Sequence, residues 1–493
     1  MKHFKGKNTK TIHVNQVQIS FSRKSVTAWG GLATIVAKLL EVIDFKSWVE
    51  SEIPIIERSN NAKGVYEKVL ATFMTVLCGG ERFSHLSWWG HGVEVIKGSF
   101  GVRWLPKASS TLTRFWGRIN SQVLSEKIGE SARRLAVSII MWQGIIADNL
   151  NLDSSVLVRY GSQEGAKTGY NPKKRGRPSH HPLIAFLGSG YVVNVWNRSG
   201  NTGSGQGAVD FFRQTRSSLG KEFRVNHVLC DSGFYVIDFI EHLESEGYIY
   251  IIAAPISRTI QREILEVRDW KTISSGIEVS EFEFEHIDAK WTHPRRYVVI
   301  RQSIDKRPKA LGKQPMLFQD LEDWSRYRIS VMVTNDLYSA PEKIWREYRP
   351  RANDENVIKD LKEGYGFETF NLKSFWATEA ILIMIGLVFH NLIVYLNKTI
   401  LNPNRPQERL KTLRHKYFIL PGLLGSAGGK RILRLSVQEK RFRAKMVSVI
   451  KRICLIPHNL NCIAVDLQGQ KNGSQIKFYT GRKLKNTIIT KHA

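Results

Sequence analysis

The chain has 493 residues, with 73 Lys and Arg against 44 Asp and Glu, a formal charge of +29 and a pI near 9.9. Such a balance favours a polyanionic partner, above all nucleic acid. An apolar share of 42% and a charged share of 24% mark a folded chain of about two to four domains. Four scattered cysteines (Cys78, Cys230, Cys454 and Cys462), none in a CxxC pair, argue against a zinc finger or a disulfide framework and for a reducing compartment.

In chain order, the basic start MKHFKGKNTKTIHV lacks the apolar run of a signal peptide. Residues 1–140 read as helical, with apolar residues three and four apart in GLATIVAKLLEVIDFKSWVE and VYEKVLATFMTVLCGG. SSTLTRFWGRINSQ opens on Ser/Thr caps and continues as a basic, aromatic helix. It is either a DNA recognition helix or a packing helix with Trp116 in the core. Residues 141–256 change period and give strand, strand, strand, helix, strand, helix, strand, a mixed α/β sheet. Residues 257–335 alternate at period two in IEVSEFEFEHI, RYVVIRQSI and YRISVMVTN, and read as a β-rich insertion. The sheet domain then resumes over 336–400, where ATEAILIMIGLVFHNLIVYLN reads as a buried core helix, its charge-free core too short to span a bilayer. From 401 onward the chain is basic, with 14 Lys and Arg against two acids over 401–452. That face is expected to bind phosphates.

The segment 348–366, YRPRANDENVIKDLKEGYG, crowds opposed charges into one stretch. Tyr348, Arg351, Glu355 and Lys362 are spaced by three, four and seven, which places them on one helical stripe. Pro350 suits an early turn and Asn353 a cap, so the regular helix is expected to begin near Asn353. Two further acids stand out. Asp153 lies within the apolar strand NLDSSVLV, a costly place for a carboxylate unless something ionic faces it. Asp231, in VLCDSGFY, sits where a strand turns into a helix, and strand ends of α/β sheets are where ligands bind. Asp148, five residues before Asp153, points to the opposite face. Two strand-borne aspartates and a helix-borne glutamate repel one another unless divalent cations join them. Two Mg2+ ions about 4 Å apart, with Mn2+ able to substitute, suit phosphoryl transfer at such a cluster.

These residues carry a resemblance. The chain resembles the DDE transposases of bacterial insertion sequences, in the group with a ribonuclease-H-like core, a β insertion and a YREK signature. The matching signature residues are Tyr348, Arg351, Glu355 and Lys362, and the likeness extends through LDSSVLVRYGSQEGAKTGYNPKKRGRPSHHPLIAF, NRSGNTGSGQGAVDFF, CDSGFY and ENVIKDLKEGYGF. It covers about residues 20–440, and departs where Ser155 stands in place of the usual Thr.

The resemblance implies a catalytic and metal-binding triad of Asp153, Asp231 and Glu355 and cut-and-paste transposition. The enzyme would bind terminal inverted repeats, hydrolyse a phosphodiester at the element end, and join the freed 3′-OH to target DNA. It implies Tyr348, Arg351 and Lys362 against phosphates near the scissile bond, a homodimer holding two DNA ends, and a bacterial cytoplasmic, nucleoid-associated setting. The basic stretch NPKKRGRPSHH adds Lys173, Lys174, Arg175 and Arg177 as backbone contacts, in preference to a minor-groove arm. Its adjacent His180 and His181 are a weak zinc signal. Trp270, Trp291 and Trp324 of the insertion are candidates for stacking on an extruded base. The competing readings are a non-cleaving, domesticated DNA-binding protein and a general ribonuclease-H-like nuclease.

Overall fold

The computed structural model describes residues 12–19, 24–57, 64–171, 174–286, 291–306, 326–403 and 405–456. Lys173, Trp324 and Cys462 lie outside these residues.

The first part of the chain is helical. Helix α1 (Val65–Leu77) is buried along almost its whole length. Helix α2 (Ser109–Trp116) packs on it, and Trp116 is fully buried with its indole N–H donating to Thr72 Oγ1 at 3.0 Å. This is the packing role for Trp116. Arg114 stays exposed on the opposite side of α2. Helix α3 (Gln122–Trp142) opens on Ser121, whose hydroxyl accepts from Leu124 N, and runs beneath the central sheet.

That sheet has nine strands. In chain order they are β1 (Ala147–Ser154), β2 (Leu183–Leu187), β3 (Val192–Trp196), β4 (Arg224–Cys230), β5 (Tyr250–Ala253), β6 (Lys271–Ser274), β7 (Ile277–Phe284), β8 (Arg295–Ser303) and β9 (Tyr327–Thr334). Helix α4 (Ala208–Leu219) links β3 to β4, and α5 (Ile237–Ser245) links β4 to β5. Across the sheet the order is β6-β7-β8-β9-β5-β4-β1-β2-β3. Strands β1, β2 and β3 form an antiparallel meander, while β4 runs parallel to β1 and β5 parallel to β4.

The period-two stretches do form strands, but they do not make a module apart from the sheet. Strand β9 pairs antiparallel with β5 through Ile251↔Thr334 to Ala253↔Met332, and β8, β7 and β6 follow outward. The edge of β5 would otherwise leave a row of backbone donors and acceptors unpaired. Alternation specifies which face of a strand is buried, not which edge it joins.

After β9 come α6 (Pro341–Tyr348), a 3-10 turn over Arg349–Asn353, and α7 (Asp354–Tyr365). The apolar stretch forms one 27-residue helix, α8 (Phe375–Leu401), lying against α3 and β3 with its apolar window almost wholly buried. Its polar residues face backbone they can satisfy. Asn391 accepts from Val192 N at 2.9 Å and donates to Val192 O at 2.7 Å, pairing the outer edge of β3 as a further strand would.

Within the basic C-terminal stretch, residues 405–456 are folded into the body. A hairpin, Gly422–Ala427 with Lys430–Leu435, pairs with Val26–Thr27, and helix α9 (Lys440–Cys454) lies on the short helix Ala37–Val42. Buried Arg414 donates to Leu77 O, Val76 O and Gly364 O, so this cation caps the C-terminus of α1 instead of facing a phosphate.

Candidate active site

Strands β1 and β4 are parallel, and their last rung is Leu152↔Cys230. Asp153 and Asp231 are each the next residue, so they stand side by side at the spacing of adjacent strands, about 5 Å, Asp153 still paired with Ile184 of β2. Asp231 Oδ1 accepts from Gly233 N at 3.0 Å and caps the turn Ser232–Phe234. Asp153 Oδ1 accepts from Ser154 N at 2.7 Å. Burial pushes the Asp153 carboxyl up to about 6; Arg351 opposes that rise, and the negative charges of Asp231 and Glu355 add to it. Asp148 is spent elsewhere: its carboxylate accepts from Asn149 N and Ser189 N, holding the turn between β2 and β3.

The signature residues approach from the α6–α7 segment. The stripe is broken by the 3-10 turn, and the regular helix starts at Asp354. Tyr348, Arg351 and Lys362 nonetheless converge on the ends of β1 and β4. Tyr348 Oη donates to Cys230 O at 3.0 Å, one residue before Asp231. Arg351 Nη2 lies 3.1 Å from Asp153 Oδ2, each side chain only 14% exposed. Lys362 Nζ donates to Val156 O at 2.9 Å, just beyond β1. Glu355 is exposed in the first turn of α7, and its negative charge adds to the rise at Asp153. Among the described residues, no three Asp, Glu, His or Cys side chains are gathered as a ready metal cage. Asp153 and Asp231 form an adjacent pair, and Arg351 leans on Asp153.

Other acids of the charged segment have structural uses. Asp360 accepts from Leu410 N with both oxygens, and Lys359 and Glu363 form an i,i+4 surface pair. Burial pushes the Asp360 carboxyl up to about 6.

The sequence reading missed the support around the pair. Ser154 Oγ lies 3.0 Å from His181 Nε2 and 2.8 Å from Ser204 Oγ, while His181 Nδ1 donates to Thr202 O at 2.7 Å. That pattern makes Ser154 the donor to His181. Buried Arg198 donates to the carbonyls of His181, Gly203 and Gln206, and so holds the glycine-rich loop 199–207 against the Asp231 turn. Gly200 is required there, since a Cβ would stand 2.2 Å from both Lys167 O and Ser179 O. The run NRSGNTGSGQG was the visible signal, because glycines at that density mark close backbone approach. His180 is likewise committed, its Nδ1 accepting from Arg159 Nε and its Nε2 facing Glu164 O, so neither histidine is placed as a zinc ligand.

Of the tryptophans, Trp291 is buried with Arg295 over its ring at 4.7 Å, which makes it core and not a platform. Trp270 is half-buried under Arg301 at 4.2 Å. Lys174, Arg175 and Arg177 are exposed on the loop that follows β1. Cys78 and Cys230 are buried free thiols and Cys454 an exposed one.

No curated protein matches the chain. Among solved structures, the cryo-EM structure of the piggyBac transposase synaptic complex with hairpin DNA aligns with 89% of this chain and 84% of that one, at 12% identity and a TM-score of 0.39. The family model for the transposase DDE domain, group 1, matches residues 9–454, a span holding the sheet, both strand-end aspartates and the signature segment. The chain therefore belongs to the DDE transposase family.

Proposed function

We propose that this protein is a metal-dependent DNA transposase that cuts the ends of an insertion sequence and joins them to target DNA. The observation that carries the reading is the convergence of Tyr348, Arg351 and Lys362, from the segment that also carries Glu355, on the two strand ends bearing Asp153 and Asp231. The strand order β3-β2-β1-β4-β5, an antiparallel meander followed by two parallel strands, supports a ribonuclease-H-like core.

Asp153, Asp231 and Glu355 would hold the cations. The donors are all carboxylate oxygens, the hard ligands that suit Mg2+ or Mn2+, and burial holds the Asp153 carboxyl up at about 6 even beside Arg351, so a nearby cation would favour its charged form. When bound, divalent ions lower the pKa of water to make the nucleophile and stabilise the leaving oxygen.

The protein's own groups do the rest. Tyr348 ties α6 to the end of β4, and Lys362 ties α7 to the chain beyond β1, so the helix carrying Glu355 is fixed relative to both aspartates. Arg351 keeps the Asp153 charge compensated until a DNA phosphate offers a second anion, to which its planar fork is suited. A homodimer on DNA would bring two ends together, in the cytoplasm of a bacterial host beside its nucleoid.

The test is incubation with duplexes carrying the element's own terminal inverted repeats, with Mg2+. Nicking at the repeat tip followed by strand joining supports the proposal, and covalently closed tips would add a hairpin step. A mobility shift without cleavage identifies a domesticated binder. Cleavage indifferent to the repeat identifies a general nuclease.

A further inference from the structure

We infer a second nucleic-acid site, for unpaired DNA, on the loop that leaves β1. Tyr160 and Tyr170 are 68% and 75% exposed, unusual for rings held in ordered backbone. Lys174 Nζ sits over the Tyr160 ring at 4.9 Å and also bonds its hydroxyl, while the Arg177 guanidinium lies 5.8 Å from the ring centre. Among the described residues, no carboxylate pairs with Lys167, Lys174, Arg175 or Arg177, although Lys and Arg elsewhere on the surface commonly have one. Cations arranged by an aromatic ring, and not consumed by acids, are what a strand of bases and phosphates requires.

The platform is held in place. Next to Tyr160, Arg159 is buried, donating to Glu368 O and to His180 Nδ1. Strand pairs among Leu157–Val158, Lys167–Thr168 and Pro178–His180 tie the loop into a small sheet. A groove of about 750 Å³ opens two residues further on, between Ser162–Gln163 and the Thr113–Gly117 side of α2, where Arg114 is exposed. Glu164, the one acid lining it, is occupied in accepting from Phe375 N at the start of α8. The path from Val156, where Lys362 is anchored, to Tyr160 is four residues, about 13 Å of extended chain. A strand unpaired near the carboxylates can therefore reach the rings, stacking bases on Tyr160 and Tyr170 and setting phosphates against Lys174, Arg175 and Arg177.

This site builds on the DNA-processing reading only for its choice of ligand, and its test needs no catalysis. The full chain is titrated in EDTA, by fluorescence anisotropy, with a labelled oligothymidylate of about 16 nucleotides, the matching duplex and an oligouridylate. Tyr160→Leu and Tyr170→Leu are each expected to weaken oligothymidylate binding about tenfold and leave duplex binding unchanged. Lys174→Gln with Arg177→Gln is expected to weaken both and to flatten the salt dependence by about one unit per charge. Unchanged oligothymidylate affinity in both tyrosine variants overturns the site, as does equal loss on duplex or tighter binding of the oligouridylate. Asp153→Asn should bind oligothymidylate like the parent protein. Loss of cleavage thus reports on the catalytic reading and loss of anisotropy on this one.

Discussion

Arg351 and Asp153 meet at 3.1 Å in a place where neither is well solvated. Removing one partner of such a pair strands the other, and that penalty exceeds what the pair contributes net. Arg351→Gln is therefore expected to lower unfolding free energy by about 1–3 kcal/mol in urea titrations. Most of that loss should vanish in an Asp153→Asn background. Equal losses in both backgrounds would mean that the ion pair does not couple. Glu379 gives a test in pH. It is buried on α8, accepting from Ser125 Oγ at 2.8 Å and Asn197 N at 3.0 Å, and burial raises its carboxyl to about 7. A raised folded-state value means the charged form is disfavoured in the fold. The cost is absent below about 4.5, grows as pH rises to about 7, and is then constant. The stability of Glu379→Gln relative to the parent should rise across that window by at most about 3 kcal/mol, read from unfolding midpoints at several pH values. A difference flat in pH would contradict the assignment.

At the level of elements, α8 shows how far sequence reaches. Its apolar run, with a charge-free core too short to span a bilayer, was enough to expect a buried helix, and it is one. Not legible was that Asn391 would pair the edge of β3, since an amide in an apolar stretch gives no hint of its partner. Asn391→Leu leaves Val192 N–H and C=O unpaired in the core, and thermal unfolding should show a loss of about 2–4 kcal/mol. A loss under ~1 kcal/mol would show that the edge is satisfied another way. The charged segment was legible in part. The spacing of Tyr348, Arg351, Glu355 and Lys362 pointed to one site, and Tyr348, Arg351 and Lys362 reach the two aspartate-bearing strands, but across a 3-10 break that periodicity does not reveal. Asp153 and Asp231 stood out because an acid at an apolar strand end is expensive without a purpose. His181, Ser154 and Ser204 did not, because small polar residues far apart in sequence carry no periodic signal.

At the scale of the whole molecule, described segments from the first and last parts of the chain fold together. Val26–Thr27 is the third strand of the C-terminal hairpin, and α9 covers the helix Ala37–Val42. With a formal charge of +29, duplex affinity should fall about 10³–10⁵-fold between about 50 and 200 mM salt if six to ten phosphates are neutralised. A salt-independent affinity would rule out an electrostatic footprint of that size. The central claim is narrower and rests on three carboxylates. The direct measurement is cleavage of repeat-ended duplex by Asp153→Asn, Asp231→Asn and Glu355→Gln, each checked for unchanged duplex binding. The account expects every one to lose at least about 10³-fold in cleavage while binding persists. Cleavage near the parent rate in any of the three would contradict it.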